Sequence, residues 1–342
     1  MKNKKTVLEI LICVAVIAAT AGYMLKGDGL GTFLSAVSQL GAGAASGMLL
    51  LLLAYILLES VIIKVILDTL DQKVTMVQCV RYSFIGFLFY CITPAGSGEQ
   101  PMQLVAMRRD GLSTPKCLYA LTLITITFKL SICVTALFVM LGWPGEVMEL
   151  VGPIMPYCMV GLVLSVGCIL LFAGLLWVPS AVEKLGRQAI RLLAALRLAK
   201  RPEKLNARLD SFMVRYEGAL KTGRRSKGLI TKVLAITIVQ RACLFAITAA
   251  AGLALGHHAV SAVDLTLSQA MVQLATEMLP LPGGTGLNEL LFMNVFKYAF
   301  GGDTLAVLMI SRGMSFYAQI AICGAVSLVF AGLGRLKTKK RI

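Results

Sequence analysis

Two short stretches of the sequence place turn-forming residues where apolar helices would otherwise continue. Both follow the pattern Pro-x-Gly-x-Gly, which begins at Pro94 in TPAGSGEQP and at Pro282 in PLPGGTGLNE. A helix that begins after such a break directs free N–H groups and a positive dipole end toward an anion such as phosphate. The residues predicted to form this binding site are Thr93, Pro94, Gly96, Ser97, Gly98, Glu99, Gln100, Gly283, Gly284, Thr285, Gly286, Asn288 and Glu289.

The spacing of polar residues predicts where the helices after the breaks begin. Ser97 precedes Gln100 by three residues, which is the spacing of a capping box. In the second stretch, Thr285 or Gly286 is predicted to begin the helix, with Asn288 and Glu289 in its first turn.

Charged side chains inside apolar segments are the other candidates for chemistry. A charge at the bilayer centre costs about 2.5 to 3.5 kcal/mol on insertion scales, so it usually faces a pathway or a partner. Gln269, Gln273 and Glu277 recur every four residues and so share one helix face. The alternative is that the charges only pair with one another to hold the bundle together. The charged residues concerned are Arg81, Lys129, Arg241 and Arg312, with Glu59, Glu99, Glu277 and Glu289 as acidic counterparts.

Composition identifies the class of protein that must position these residues. Hydrophobic residues make up 58% of the chain, the mean hydropathy is +0.82, and several apolar runs are long enough to cross a bilayer. The chain is therefore predicted to be an all-α integral membrane protein. The net charge of +16 is explained by basic loops on the cytoplasmic side, and no nucleic-acid partner is expected.

Hydropathy and charge together predict the topology. Most of the 33 Lys and Arg residues fall on one side of the predicted spans, which places both termini in the cytoplasm. About six full transmembrane helices are predicted, at residues 6–25, 44–66, 117–141, 153–178, 229–255 and 304–333.

The segments 74–107 and 264–298 carry the two breaks and are predicted to be re-entrant helical hairpins. Each is too long for one crossing and too interrupted for two. The flanking charges make the first hairpin open to the cytoplasm and the second to the outside. The units 44–141 and 229–333 therefore form an inverted repeat, as in many transporters.

A basic linker separates the two membrane halves, which are residues 1–178 and 229–342. The linker, residues 179–228, begins with apolar and basic residues at helical spacing, as in a helix that lies on an anionic leaflet. An ordinary positively charged loop is the alternative.

The cysteines and histidines predict no redox or metal chemistry. The nine cysteines lie almost entirely in apolar segments without CxxC pairs, and the two histidines are adjacent in a short loop. No disulfide, metal or cofactor is expected.

Around both breaks the chain resembles the lysylphosphatidylglycerol synthase transmembrane (flippase) family, the membrane half of the bacterial multiple peptide resistance factor. The resemblance is in layout over residues 5–335, and it is specific at TPAGSGEQP, at PLPGGTGLNE and at SRGMSFYAQI, which contains Arg312 and Tyr317. The resemblance implies that the residues of these motifs contact the substrate. Glu99 departs from the family's GSGGQP form, in which glycine stands at this place.

The resemblance implies a lipid flippase that moves aminoacylated phosphatidylglycerol across the bacterial cytoplasmic membrane and so gives resistance to cationic antimicrobial peptides. The expected partners are membrane lipids and anionic phospholipid headgroups. Other anionic or glycosylated lipids satisfy the same chemistry, and a scaffold for a separately encoded aminoacyl-phosphatidylglycerol synthase is another alternative. A homo-oligomer is left open. Because the sequence has no nucleophile motif and no soluble synthase domain, synthase activity is not expected.

The topology can be tested by cysteine labelling in a background without native cysteines. Cysteines at Gly111 and Thr222 should be accessible only from the cytoplasm, and cysteines at Gly145 and Gly302 only from outside. Labelling of position 111 by an impermeant reagent added outside would contradict the orientation of the first hairpin.

Overall fold

The computed structural model describes residues 38, 40–93, 96–143, 145–195, 202–226, 228–277 and 286–339. This part of the chain contains helices and no strand. The first predicted span, residues 6–25, lies outside the described residues.

The first membrane unit consists of four helices. They are α1 (Ala42–Thr69), α2 (Met76–Ile92), α3 (Glu99–Arg109) and α4 (Thr114–Met140). A capping box begins α2, because the Thr75 hydroxyl accepts the Gln78 N–H at 3.3 Å and the Gln78 side chain accepts the Thr75 N–H at 2.9 Å. The helix α2 ends just before the proline and glycines of the first break, which cannot continue it.

A further span and two helices on the linker follow. They are α5 (Val147–Val151), a 3-10 turn (Gly152–Ile154), α6 (Met155–Trp177), α7 (Pro179–Ala195) and α8 (Pro202–Arg225). The linker therefore contains helices, with Leu185 and Leu192 of α7 exposed. Two side chains of α8 reach the last turn of α6, since Tyr216 Oη donates to the Leu175 carbonyl and Arg224 to the Leu176 carbonyl.

The second membrane unit repeats the order of the first. It contains α9 (Leu229–Ala254), α10 (Ala262–Thr276), α11 (Leu287–Phe300), a 3-10 turn (Gly301–Asp303), α12 (Thr304–Arg312), a π-helical turn (Gly313–Ala318) and α13 (Gln319–Lys339). Gly301 has a φ of +52° where α11 passes into the 3-10 turn, a region that favours glycine.

Five helical stretches of the described residues are long and apolar enough to cross a membrane, so the chain is a multi-pass membrane protein. Four agree with predicted spans. The fifth is longer than predicted, because the apolar stretch already begins in α11, which the sequence assigned to the second hairpin. The five stretches are Ala42–Thr69, Thr114–Met140, Val147–Trp177, Leu229–Ala254 and Leu287–Phe330.

The two largest apolar clusters of the described residues form two layers of the bundle. In α1, Leu52 and Ile56 lie in the first cluster, whereas Ile63 and Leu67 lie in the second. The order is reversed in α9, where Val233 lies in the second cluster and residues 245–251 contribute to the first. The helices α1 and α9 pack against each other. The opening helices of the two units therefore run in opposite directions.

The helices around the two breaks lie in different layers. Cys79 of α2 lies in the second cluster and Phe87 in the first, while Met107 of α3 lies in the second cluster again. In the second unit, the buried residues of both α10 and α11, such as Leu265 and Phe296, lie in the first cluster. The pair α2 and α3 therefore starts and ends in one layer, and the pair α10 and α11 occupies the other.

A polar layer lies between the two clusters. It contains Glu59 and Ser60 of α1, Lys129 of α4, and Gln240 and Arg241 of α9. Each of these helices has buried apolar residues of the first cluster on one side of the polar positions and of the second cluster on the other. The structure thus places ionisable groups of three helices at one depth in the bundle.

The contact between α6 and α10 depends on a missing side chain at Gly161. A Cβ atom there would collide with the backbone carbonyl of Leu274, whereas a Cβ at Gly167 of the same helix would meet nothing. We expect Gly161→Ala to lower the stability by about 1 to 3 kcal/mol, the usual cost of overpacking. Gly167→Ala, the matched control, should not lower it. Thermal unfolding of the purified variants measures the difference, and equal melting temperatures would contradict this packing.

Candidate functional site

A cavity of about 280 Å³ lies beside the polar layer and is lined by both membrane units. Its wall includes Tyr55 and Glu59 of α1, the segment after the first break, and residues from α4, α9, α10, α11 and α12. The cavity is the place where the two broken segments, far apart in the sequence, come together.

The Glu277 carboxylate is shared by two cations on the cavity wall. Its Oε1 atom forms a short contact with the Lys129 Nζ atom, and its Oε2 atom lies 3.5 Å from an Arg241 Nη atom. Only 5% of the Glu277 side chain is exposed, so all three charges lie in a low-dielectric environment where mutual neutralisation matters most. Glu277 therefore connects α4 and α9 to the end of α10.

Arg241 also lies against two aromatic rings. Its guanidinium carbon is 4.0 Å from the Phe128 ring centroid and 4.8 Å from that of Phe245. These cation–π contacts stabilise a charge that is removed from water. Phe245 follows Arg241 by four residues, so helical spacing alone predicts this neighbour, but it does not predict Phe128.

At the second break, Arg312 forms an ion pair with Glu289. Its Nη2 atom lies 3.1 Å from Glu289 Oε1, and the other Glu289 oxygen accepts the backbone N–H of Gly286. Gly286 is the N-cap of α11 and has a φ of +91°, which favours glycine. The prediction that α11 begins near Gly286, with Asn288 and Glu289 in its first turn, is confirmed.

The hydroxyl of Thr93, and not the predicted capping box, forms the hydrogen bonds that join the two sides of the first break. The Thr93 hydroxyl donates to the Phe89 carbonyl at 2.6 Å and accepts the Gly98 N–H at 2.8 Å. Gly98 is the N-cap of α3, and no side chain caps the helix. The prediction that Ser97 and Gln100 form a capping box is therefore wrong, because the Gln100 amide instead donates to Thr125 Oγ1 of α4 at 3.0 Å.

Gly96 allows the chain to turn beside an aromatic ring. Its φ is +65°, and a Cβ atom at this position would collide with the ring of Tyr90. Glu99 follows as the first residue of α3, where its negative charge is favourable near the positive end of the helix. The break thus presents a carboxylate, not only N–H groups, to the cavity.

Most predicted site residues are brought together here. Thr93, Gly98, Arg241, Gly286 and Glu289 do not line the cavity but contact or neighbour residues that do. Tyr317 packs against Phe316, which lines the wall. Four predicted positions, Pro94, Gly283, Gly284 and Thr285, lie outside the described residues. The predicted residues that line the cavity are Gly96, Ser97, Glu99, Gln100, Lys129, Gln273, Glu277, Asn288 and Arg312.

Arg81 is the predicted cation that the structure places elsewhere. It forms a short ion pair with Asp110, which also accepts a hydrogen bond from the Tyr82 hydroxyl at 2.5 Å. Burial alone would raise the pKa of Asp110, but the hydrogen bonds from Arg81 and Tyr82 lower it below its usual value. Arg81 therefore joins the start of α2 to the turn after α3 and does not take part in the cavity.

Sequence reasoning missed several polar residues of the wall. Gln319 and Ser311 line the cavity, and the Ser311 hydroxyl lies 2.7 Å from that of Thr248. Asn288 Nδ2 donates to Thr276 Oγ1 at 3.3 Å, which joins the start of α11 to the end of α10. Such single Ser and Thr residues carry no sequence signal, because they are common in membrane helices that bond only their own backbone.

Comparison with known proteins identifies the family of this chain. No curated protein matches the chain. Residues 7–323 match the protein family described as the lysylphosphatidylglycerol synthase TM region. This range includes both breaks, the polar layer and every described residue of the cavity wall. Because the match extends over most of the chain, the protein belongs to the lysylphosphatidylglycerol synthase TM region family.

Proposed function

We propose that this protein is a lipid flippase, which moves aminoacylated phosphatidylglycerol from the inner to the outer leaflet of the bacterial cytoplasmic membrane. The observation that carries the proposal is a cavity between two oppositely directed units that contains fixed charges of both signs. Family membership supports a membrane lipid-related function.

The charges in the cavity fit the two ends of such a headgroup. Lysylphosphatidylglycerol carries an anionic phosphate and a cationic aminoacyl group. Lys129 and Arg312 line the cavity as candidate phosphate ligands, and an arginine can bind a phosphate through two parallel hydrogen bonds. The carboxylate of Glu99 lies in the same cavity and is a candidate partner for the ammonium group.

Glu277 occupies the position beside Lys129 and Arg241 that we assign to the lipid phosphate, in the same cavity wall as Arg312. Its two carboxylate oxygens contact Lys129 and Arg241, just as two phosphate oxygens would. A phosphate that enters the cavity would exchange with this carboxylate and leave the two cations neutralised throughout. Such an exchange leaves neither of the two buried cations unpaired.

The two broken segments supply the moving parts in this proposal. We assign α2 with α3, and α10 with α11, to re-entrant hairpins that enter the membrane from opposite sides. The pair α2 and α3 starts and ends in the second apolar cluster, whereas α10 and α11 lie in the first, and this difference supports the assignment. Rocking of one unit against the other would then expose the cavity to each leaflet in turn.

Reconstitution into liposomes tests the function. Lysylphosphatidylglycerol is placed in the inner leaflet, and an impermeant amine reagent reports the lipid that reaches the outer leaflet. Faster labelling than in protein-free liposomes supports the flippase. If the chain moves only other anionic or glycosylated lipids, one of those lipids is the substrate. If lysylphosphatidylglycerol forms from its precursors, the chain is a synthase. No transport or synthesis by this chain would favour a scaffold for a separate synthase.

Arg312 should be necessary for handling the phosphate. We expect Arg312→Ala to reduce transport to near background and Arg312→Lys to retain only part of it, because lysine cannot form the paired hydrogen bonds. The rate of amine labelling measures both. Arg215→Ala, which removes an exposed arginine of α8, is the control and should transport normally.

A purely structural role for Arg312 predicts a different result. Its loss would then leave Glu289 unpaired, and thermal stability and expression would fall together with transport. Full stability with lost transport supports phosphate binding, whereas normal transport in Arg312→Ala would remove Arg312 from the site.

Glu99 should determine preference for the cationic headgroup. We expect Glu99→Gln to slow transport of lysylphosphatidylglycerol more than that of phosphatidylglycerol, because only the former offers a cation to the carboxylate. Each lipid is measured separately, with the phosphatidylglycerol carrying a fluorescent acyl chain. Glu149→Gln, an exposed position of α5, is the control. Equal losses for both lipids would contradict recognition of the ammonium group by Glu99.

A further inference from the structure

Three polar side chains from three different helices meet beneath the cavity. Glu59 of α1, Gln103 of α3 and Gln240 of α9 are 2%, 0% and 0% exposed. Gln240 Nε2 donates to Glu59 Oε2 at 3.0 Å and to the Tyr55 carbonyl at 3.1 Å, so both of its amide hydrogens are used. Gln103 lies close to the Glu59 carboxyl, although no hydrogen bond joins the two side chains.

The hydrogen bonds of this group are incomplete among the described residues. Glu59 Oε1, Gln240 Oε1 and both amide atoms of Gln103 are buried without a hydrogen-bond partner. Unsatisfied buried polar atoms are costly and rare, so several in one place require an explanation. The Gln103 side chain is held there by packing, because a Cβ at Gly86 of α2 would collide with it.

The charged groups around Glu59 do not neutralise it. Within the described residues, the ion pairs of Lys129 and Arg241 are made with Glu277, and that of Arg312 is made with Glu289. Glu99 on α3 adds a second negative charge to the same cavity. The titratable and charged groups that line the same cavity as Glu59, or contact its wall, include Tyr55, Tyr90, Glu99, Lys129, Arg241, Glu277 and Arg312.

We propose that Glu59, Gln103 and Gln240 form a proton-binding site that couples lipid movement to proton movement across the membrane. The coupling rests on the proposed flippase function, but proton binding at Glu59 does not. A proton on Glu59 Oε1 is donated to Gln103 Oε1, which gives two of the unsatisfied atoms a partner. The carboxyl is then neutral, which removes the cost of a buried charge.

The cycle needs one reversible proton transfer. When the cavity opens to water, the O–H bond of Glu59 breaks, the proton passes to a water molecule, and both bonding electrons stay on the carboxylate. Rotation of the Gln103 amide then turns its N–H group toward the carboxylate. Opening toward the other side allows water to return a proton to Glu59, so one proton crosses for each cycle.

A proton fits this site better than a sodium ion. Sodium would need several oxygen ligands directed at one point, whereas Gln240 presents its N–H group to the Glu59 carboxyl. The tight contact of Gln103 with Gly86 also leaves little room for a coordinated ion. Replacement of the pH gradient by a sodium gradient is therefore a direct test of the alternative.

Difference infrared spectroscopy tests proton binding without any lipid transport. When the purified full chain is shifted from alkaline to acidic pH, we expect a carbonyl band of a protonated, buried carboxylic acid that is absent in Glu59→Gln. Gln103→Leu should shift this band toward that of an acid without a hydrogen-bond acceptor, and Glu149→Gln should leave it unchanged. A band that persists unchanged in Glu59→Gln would overturn the proposal.

Liposomes with a trapped pH indicator test the coupling. We expect an imposed pH gradient to speed lysylphosphatidylglycerol movement several-fold in the wild type and in Glu149→Gln, and to have no effect in Glu59→Gln. If the rate of lipid movement does not depend on the pH gradient, or depends on a sodium gradient, the proposed coupling is wrong. The proposed flippase function would still stand. An infrared band that depends on Glu59, in a protein that moves no lipid, would instead refute the flippase and retain the proton site.

Discussion

The burial of ionisable groups between two apolar clusters is the constraint on which the structure depends. The side chains of Lys129, Arg241 and Glu277 are at most 12% exposed, so their charges are neutralised largely by one another. Their partners come from α4, α9 and the end of α10, which means that the charges can be satisfied only when both membrane units are assembled. The same pairs that fix the helices therefore also build the cavity.

The breaks in the helices follow from this constraint. A continuous helix hydrogen-bonds its own backbone and offers none of it to a ligand, whereas a helix end exposes backbone groups. Here the exposed groups have local partners, Thr93 at the first break and Glu289 at the second. Because Glu289 also holds Arg312, the geometry of the second break and the electrostatics of the cavity are linked through one side chain.

The two acidic groups Glu277 and Glu59 occupy different environments and serve different purposes in our proposals. Glu277 contacts two cations and can exchange with an incoming anion. Glu59 contacts neutral amides and can change its charge only by gaining or losing a proton. A transporter with both kinds of group has one site that responds to its lipid and another that responds to pH.

The sequence alone determined the membrane class, four of the described spans and the positions of both breaks. These properties depend on hydropathy over about 20 residues and on the local conformational preferences of proline and glycine, and both can be derived directly from the sequence. Tertiary structure decided which charges meet. Arg81 and Arg312 look alike in sequence, yet one binds Asp110 far from the cavity and the other binds Glu289 beside it. Likewise, nothing local unites Glu59, Gln103 and Gln240, because contacts between distant helices depend on their rotation and relative depth, which only the packed bundle fixes.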